Sequence, residues 1–189
     1  MQTVSWVFGY GSLMWDPGFD PAETVVARLD GYSRSFCMRS IQYRGTPETP
    51  GLVLALDAEP DAHCTGLALR IPDGQHDEVR AYLLDREMTH NAYVETIVDV
   101  ALSDGRSVSA LTYVMRRDHD QYAGRLCAKE QADIISRAHG LRGANAEYLF
   151  NTARHLAQIG VADRVMDGLS DDVRRLLGDA GAATGTRQG

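Results

Sequence analysis

The stretch VFGYGSLMW, residues 7–15, decides how the rest of the sequence is interpreted. An apolar run is followed at once by Gly9-Tyr10-Gly11-Ser12, the pattern of a strand that feeds a tight turn. Glycine adopts backbone angles that other residues rarely adopt and leaves room for a ligand, and successive main-chain N–H groups in such a turn can bind an anion. From these residues alone an ordinary exposed hairpin turn remains the alternative, because the spacing fits neither GxGxxG nor a P-loop.

The composition is that of an acidic globular protein. The chain has 189 residues, of which 44% are hydrophobic and 24% are charged, and its formal net charge is −7. This charge disfavours binding to nucleic acid or to an anionic membrane. We expect a cytoplasmic protein, because we find neither a membrane-spanning apolar segment nor a signal-peptide pattern. The widely spaced cysteines Cys37, Cys64 and Cys127 indicate free thiols in a reducing compartment.

The order of the predicted elements indicates an α+β protein. Strands are predicted after the first turn at residues 24–36, 52–56, 64–71, 93–102 and 107–115, with a hairpin turn at Asp104-Gly105. Residues 24–36 fit either one bent strand or two short ones. Helices are predicted at residues 75–87, 130–138, 144–159 and 163–177. The polar, proline-rich residues 39–50 predict a surface loop that could reach over a site. We predict one domain over residues 1–177 and a flexible tail, rich in Gly, Ala and Thr, over residues 178–189.

Glu87 is the candidate for acid–base chemistry. In the predicted helix it lies on the same face as the apolar residues Val79 and Leu83. A carboxylate at the end of an apolar face, in the last turn of a helix, is poorly solvated and lies at the negative end of the helix dipole, so its pKa should rise. A general acid–base needs a pKa near the working pH. From spacing alone, the alternative is that Glu87 ends the helix and pairs with Arg86 or faces solvent.

Several motifs, in order, resemble those of the ChaC-like branch of the γ-glutamylcyclotransferases, which acts on glutathione. The first is the opening stretch FGYGSLMW, residues 8–15. The others are GYSRSF at residues 31–36, RGTP at 44–47, PGLV at 50–53, YLLDRE at 82–87 and NAEYLF at 145–150. The resemblance extends over residues 4–177, nearly the whole chain.

This resemblance implies a γ-glutamylcyclotransferase-like mixed β-barrel with surrounding helices, in a single α+β domain. It also implies a lyase-type reaction in which the α-amine of a γ-glutamyl group attacks its own γ-carbonyl. The products would be 5-oxoproline and, from glutathione, Cys-Gly. Glu87 aligns with the glutamate of the family's Arg-Glu pair, and in the family this glutamate is the general acid/base. A covalent intermediate is unnecessary because the nucleophile is tethered, and neither a metal nor a cofactor is expected.

The resemblance further implies a substrate site built on the turn. Its main-chain N–H groups would hold the α-carboxylate or the carbonyl oxygen of the substrate. The turn residues are Val7, Phe8, Gly9, Tyr10, Gly11 and Ser12. Arg44 would bind a substrate carboxylate, and Tyr93 and Tyr148 would line the pocket. From the residues alone, Arg44 is more often solvated, Tyr148 is a core residue by default, and Tyr10 points either into the pocket or over the turn.

Other functions stay open at this point. One is the same ring closure on other γ-glutamyl amides. Another is a non-catalytic regulator that binds small molecules on the same fold. Glu87 beside a complete glycine turn favours an enzyme, because binding alone does not require an acid/base. A phosphate-binding module is disfavoured by the missing P-loop lysine and by the acidic net charge.

Overall fold

The strands form a closed, mixed β-barrel. The computed structural model describes residues 4–87 and 91–185, and within them the barrel strands follow the order β1-β3-β2-β4-β5. They are β1 (Trp6–Gly9), β2 (Glu23–Ser40), β3 (Gly51–Arg70), β4 (Tyr93–Leu102) and β5 (Ser107–Met115). β5 pairs antiparallel with β4 and parallel with β1 and β3. The predicted α+β class and the mixed barrel are therefore confirmed.

The helices follow the predicted order. They are α1 (His76–Glu87), α2 (Ala128–Arg137), α3 (Asn145–Gln158) and α4 (Arg164–Gly185), with a short 3-10 helix at Ser12–Met14. α4 continues beyond Leu177, where the sequence predicts that the helix ends. The domain boundary at that residue and the flexible tail stay predictions. None of the helices in the described residues combines the length and the apolar character needed to cross a membrane.

The two long strands differ from the sequence prediction in their extent. The sequence predicts separate strands at residues 52–56 and 64–71, whereas β3 is one continuous strand. Several residues between these segments are exposed, so they carry no buried apolar pattern although their backbone is extended. β2 is likewise a single strand, in which Gly31 has a φ of +83°, a region that favours glycine.

The described chain forms two compact units, and the first contains the barrel core. This unit comprises the described residues up to Ser35 together with Leu54–Tyr122. Apolar side chains from all five barrel strands are buried there. They include Trp6, Phe8, Leu29, Leu56, Val98, Val100 and Ala110. Burial of this apolar surface is the main force that holds the barrel closed.

The second unit comprises Phe36–Val53 and the residues from Ala123 onwards. It contains a hairpin that the sequence analysis missed, formed by β6 (His139–Gly140) and β7 (Gly143–Ala144). The main-chain N–H groups of Leu141 and Arg142 donate to the carbonyl oxygens of Gln42 and Tyr43, at 2.9 Å each. The predicted surface loop at residues 39–50 is thus held by main-chain hydrogen bonds within its own unit.

A buried asparagine organises the second unit. Asn145 is fully buried, and its side-chain oxygen accepts a hydrogen bond from the N–H of Leu52 at 2.6 Å. Its side-chain nitrogen donates to the carbonyl oxygen of Leu52 at 2.7 Å. A buried amide is stable only when both its donor and its acceptor are satisfied, and here one backbone residue satisfies both.

Candidate active site

α1 places Glu87 at the end of a buried helix face, as the sequence predicts. Asp77 and Glu78 occupy the first turn, where acidic side chains stabilise the helix dipole. Val79 and Leu83 are buried on the face that leads to Glu87. The side chain of Glu87 is only 17% exposed, which is unusual for a glutamate.

The environment of Glu87 favours its protonated form. Burial raises the pKa of the Glu87 carboxyl, and the positive charge of Arg86 partly opposes this rise. The Nε atom of Arg86 lies 3.3 Å from Oε1 of Glu87. No other ion pair or hydrogen bond to this carboxylate is found within residues 4–87 and 91–185. Of the two alternatives that the sequence left open for Glu87, the pair with Arg86 is observed and exposure to solvent is not.

Arg86 connects the end of α1 to the glycine turn. One terminal nitrogen of its guanidinium donates to Oγ of Ser12 at 2.9 Å. The other donates to the carbonyl oxygen of Asp16 at 2.7 Å and to the hydroxyl of Tyr82 at 3.1 Å. The contacts with Ser12 and Asp16 span 74 and 70 residues of sequence, and they bring the predicted acid and the predicted turn together in the first unit.

The two glycines of the turn serve different purposes. Neither Gly9 nor Gly11 has a positive φ. A Cβ atom at Gly9 would lie only 3.3 Å from Cβ of Leu13, so glycine is needed there for close packing. A Cβ atom at Gly11 would meet no atom within 4 Å in the described residues, so the space beside Gly11 is open. The predicted room for a ligand therefore lies at Gly11.

Several main-chain N–H groups of the turn have no hydrogen-bond acceptor among the described residues. The carbonyl of Gly11 accepts from the N–H of Met14 at 2.9 Å, and that of Ser12 accepts from the N–H of Asp16 at 2.8 Å. The N–H groups of Gly11, Ser12 and Leu13 have no acceptor within the described part of the chain. The first N–H groups of a helix have no partner inside it, so these groups are available to an anion or a carbonyl oxygen.

The side chains before the turn belong to the barrel core. Val7 and Phe8 are fully buried, which leaves only their main-chain groups for a ligand. The hydroxyl of Tyr10 donates to the carbonyl oxygen of Tyr113 at 3.0 Å, so the Tyr10 side chain also points inward. Arg34 donates to the carbonyl oxygen of Tyr10 at 3.1 Å and fixes the main chain at the start of the turn.

Tyr113 of β5 adds a polar group that was not predicted for this site. It lies opposite Glu95 of β4 in the barrel and is 1% exposed. Its hydroxyl lies near the Glu95 carboxylate but makes no hydrogen bond of ordinary length within residues 4–87 and 91–185. Burial first, and then the negative charges of Glu95 and Glu87, raise the pKa of this hydroxyl well above its usual range, while Arg80 opposes the rise. The phenol is therefore neutral.

Tyr93 shares a barrel face with this group. It precedes Glu95 by two residues in β4 and lies opposite Met115, which follows Tyr113 by two residues in β5. Residues two apart in a strand point to the same side, so Tyr93 and Tyr113 belong to one face. The predicted substrate-binding role of Tyr93 stays a prediction.

Arg44 and Tyr148 belong to the second unit, where the structure brings them together. The guanidinium of Arg44 lies 5.7 Å from the centre of the Tyr148 ring, a cation–π distance. Arg44 also donates to the carbonyl oxygen of Ala144 at 3.2 Å and lies 3.8 Å from the Glu147 carboxylate. Tyr148 meets Phe36 edge-on. Their substrate-binding roles also stay predictions.

Comparison with known proteins assigns the chain to a family. A family model described as ChaC-like protein matches residues 5–176. The chain belongs to the ChaC-like family. This match covers the whole barrel and most of α4.

Curated relatives and a solved structure agree with this assignment. The chain is 36% identical over 174 residues to the glutathione-specific gamma-glutamylcyclotransferase of Escherichia coli (strain K12), with 92% of this chain and 74% of that protein covered. It is also 36% identical over 181 residues to the enzyme of the same name from Schizosaccharomyces pombe, with 84% and 88% covered. A crystal structure of a gamma-glutamyl cyclotransferase specific to glutathione from yeast matches with a TM-score of 0.80 at 26% identity, covering 92% and 97% of the two chains.

Sequence analysis of this ChaC-like protein missed Tyr113 for a physical reason. The residue lies in the run ALTYVM, whose apolar neighbours predict a buried strand. A tyrosine in such a strand is predicted to be a core residue, and only the tertiary structure shows that its hydroxyl lies near the Glu95 carboxylate. The hydrogen bond from Arg86 to Ser12 could not be predicted from the sequence either, because it depends on how α1 packs against the turn.

Proposed function

We propose that the protein is a glutathione-specific γ-glutamylcyclotransferase that releases 5-oxoproline and Cys-Gly from glutathione. The observation that carries this proposal is the Glu87 carboxylate, which is buried, has a raised pKa and is linked through Arg86 to the glycine turn. Membership of the ChaC-like family and the names of the relatives support the same activity.

In the proposed mechanism, Glu87 carries a proton from one nitrogen to another. Its carboxylate accepts a proton from the α-ammonium group of the γ-glutamyl moiety. The free amine then attacks the γ-carbonyl of the same residue, closing a five-membered ring. The bond between the γ-carbon and the cysteine nitrogen breaks as Glu87 returns its proton to the leaving nitrogen. The ring nitrogen then passes its second proton through Glu87 to the released amine, which leaves as an ammonium, and the ring becomes the neutral lactam. Water is not consumed, and the tethered nucleophile makes a covalent enzyme intermediate unnecessary.

The raised pKa suits both halves of this cycle. A carboxyl with an ordinary pKa would accept a proton poorly, whereas a buried carboxylate is a stronger base. Once protonated, Glu87 is a good acid toward the leaving nitrogen. The positive charge of Arg86 opposes the rise of the Glu87 pKa and so favours the ionised form that accepts the proton.

Substrate contacts form the second part of the proposal. The N–H groups of Gly11, Ser12 and Leu13 bind the α-carboxylate or the γ-carbonyl oxygen of the substrate. Tyr93, in the same unit, contributes a further contact, as the family resemblance implies, and the proposal includes neither a metal nor a cofactor. The substrate-binding roles of Arg44 and Tyr148, in the second unit, stay predictions. We place the enzyme in the cytoplasm, where the free thiols of the cysteines are stable.

A product assay on the full chain tests this function. The purified protein is incubated with glutathione, and 5-oxoproline and Cys-Gly are measured by mass spectrometry. We expect the two products in equal amounts. The matched control substrate is the α-linked isomer Glu-Cys-Gly, whose α-amine cannot close the same ring by releasing Cys-Gly, and we expect no product from it.

The same assay separates the alternatives. Turnover of γ-glutamyl-alanine without turnover of glutathione would indicate that the enzyme closes the same ring on other γ-glutamyl amides. Calorimetric binding of glutathione without either product would favour a non-catalytic binding protein. Neither binding nor turnover of any γ-glutamyl compound would contradict the proposed function.

A further inference from the structure

Arg86 lies at the junction of α1 and the glycine turn and has contacts on both sides. Its side chain is 22% exposed, so most of it is enclosed by protein. On the side of the turn it donates to Oγ of Ser12 at 2.9 Å and to the carbonyl oxygen of Asp16 at 2.7 Å. On its own helix it donates to the hydroxyl of Tyr82 at 3.1 Å. Its Nε atom faces the Glu87 carboxylate at 3.3 Å.

The planar shape of the guanidinium suits this arrangement. Its terminal nitrogens reach two different points of the turn, and its Nε atom reaches the acid. Arginine has five N–H donors in a fixed fork, whereas lysine has one ammonium with three donors at a single point. A lysine at this position would keep the positive charge but could not donate in all of these directions at once.

The segment that Arg86 contacts also carries the main-chain donors of the site. Ser12 begins the 3-10 helix of three residues, and Asp16 follows its end. A helix of this length has almost no stability of its own, so its geometry depends on contacts with the rest of the fold. By binding both ends of this segment, Arg86 fixes the direction in which the N–H groups of Gly11, Ser12 and Leu13 point relative to α1.

These contacts persist when the charge of Glu87 changes. Arginine side chains keep their charge in proteins. Protonation of Glu87 removes the negative partner of one ion pair, but the acceptors on Ser12, Asp16 and Tyr82 are hydroxyl and carbonyl oxygens. The turn therefore keeps its place relative to α1 in both protonation states of the acid.

We propose that Arg86 is a positioning residue, which holds the N–H groups of the glycine turn at a fixed distance from the Glu87 carboxylate so that one γ-glutamyl group can bridge them. This inference rests on the proposed function. In this role Arg86 does not contact the reacting atoms and acts through the two groups that do. Ring closure requires the amine and the γ-carbonyl to be held in one geometry, and this geometry is sensitive to small displacements of the groups that hold them.

The variants Arg86→Lys and Arg86→Met separate geometry from charge in the full chain. In Arg86→Lys we expect kcat/KM for glutathione, per folded molecule, to fall about 10²-fold, the cost of a displacement of about 1 Å. The acidic limb of its pH profile should not move, because the positive charge beside Glu87 is kept. In Arg86→Met we expect at least the same loss together with an upward shift of the limb, because the charge that opposes the rise of the Glu87 pKa is removed.

Hydrogen exchange in the turn tests the positioning role without turnover. The N–H of Met14 donates to the carbonyl oxygen of Gly11 at 2.9 Å, and that of Asp16 donates to the carbonyl oxygen of Ser12 at 2.8 Å. We expect both amides to exchange about tenfold faster in Arg86→Lys, as for the loss of one hydrogen bond to a charged group. Failure of the wild type to form 5-oxoproline is a different result, because it would remove the proposed function and leave this readout intact.

The matched control is Arg106→Lys, the same chemical change at another arginine of the first unit. Arg106 binds the carboxylates of Glu23 and Asp104 and is 46% exposed. We expect this variant to keep the wild-type kcat/KM, the wild-type acidic limb and the wild-type exchange rates in the turn.

A second variant decides the question if Arg86→Lys does not fold. Tyr82→Phe removes one acceptor of the Arg86 guanidinium, and Tyr82 is 40% exposed, so the change leaves the core intact. We expect kcat/KM to fall several-fold with an unchanged acidic limb. A wild-type kcat/KM in this variant would then overturn the inference.

Three results with folded Arg86→Lys would also overturn it. The first is an unchanged kcat/KM per folded molecule, which would leave Arg86 a structural residue only. The second is a shift of the acidic limb that accounts for the whole loss of kcat/KM, which would mean that Arg86 serves only to adjust the charge state of Glu87. The third is an unchanged exchange rate at Met14 and Asp16, which would mean that Arg86 does not fix the turn.

Discussion

Two buried carboxylates in the first unit have opposite surroundings. Asp57 of β3 is 3% exposed, and both of its oxygens are occupied. Nε of Arg117 donates to one at 2.7 Å, and the hydroxyl of Tyr122 donates to the other at 2.9 Å. Glu87 is also mostly buried, but its ion pair with Arg86 at 3.3 Å is its one recorded polar contact within the described residues.

The difference shows that burial alone does not mark a catalytic acid. The charge of Asp57 stabilises the fold, because two hydrogen-bond donors compensate for the solvation that the carboxylate loses on burial. Glu87 lacks such compensation, so burial raises its pKa and leaves oxygen atoms available to a substrate. The two residues should therefore respond in opposite ways to removal of the charge.

The largest effect is expected for Glu87→Gln. The amide has the same shape but cannot carry a proton between two nitrogens, so we expect kcat for glutathione to fall about 10²–10⁴-fold. The free energy of unfolding at neutral pH should not decrease. Steady-state assays of 5-oxoproline and a denaturant titration measure both quantities. A variant that keeps wild-type kcat would remove Glu87 from the mechanism.

Asp57→Asn should lower stability and leave turnover unchanged, which is the reverse of the effect expected for Glu87→Gln. The amide cannot accept hydrogen bonds from both Arg117 and Tyr122 with a full negative charge, so we expect the free energy of unfolding to fall by about 2 kcal/mol. Half-exposed Arg117 can be solvated after the change, which keeps the loss below that of a fully buried pair. Turnover per folded molecule should stay at the wild-type level. Loss of turnover without loss of stability would erase the contrast with Glu87.

The smallest effect concerns how stability depends on pH. The pKa of Glu87 is raised in the folded state, so the folded protein binds this proton more tightly than the unfolded chain does. The resulting stabilisation is present below the ordinary pKa of 4.5 and is lost as the pH rises through the folded-state pKa. Gln does not ionise, so Glu87→Gln should be more stable than the wild type at pH 7–8, with a difference that shrinks toward about pH 4.

Thermal unfolding across this pH range measures the effect. The matched control is Glu48→Gln, because Glu48 is an exposed glutamate of the same chain. A wild type that is as stable as Glu87→Gln at every pH would argue that the folded state leaves the Glu87 carboxyl unperturbed.

The sequence predicts the parts of the fold that have local patterns. The ranges of β4 and β5 follow from apolar patterning around the Asp104-Gly105 turn. The helix that ends at Glu87 follows from the spacing of Val79 and Leu83. The same spacing places Glu87 on the apolar face, but from spacing alone an ion pair with Arg86 or exposure to solvent remained the alternative.

Other parts of the molecule depend on contacts that are distant in sequence. The middle of β3 is extended although its exposed residues show no apolar pattern, and β3 as a whole neighbours strands that are distant in sequence. The hairpin of β6 and β7 has two residues in each strand, too few for any periodicity. The position of Tyr113 opposite Glu95 depends on how β4 and β5 pair and not on its own strand. For the same reason, the partners of Arg44 emerge only in the folded chain.

The most direct test is an NMR titration of the Glu87 side chain in the full-length wild type. The protein is labelled with ¹³C at the glutamate carboxyl carbons, and the Glu87 signal is identified by its absence from Glu87→Gln. We expect its midpoint to lie above the ordinary glutamate value of 4.5 and to coincide with the acidic limb of kcat/KM for glutathione. An ordinary midpoint, or a raised midpoint that differs from the kinetic limb, would contradict the assignment of Glu87 as the acid/base.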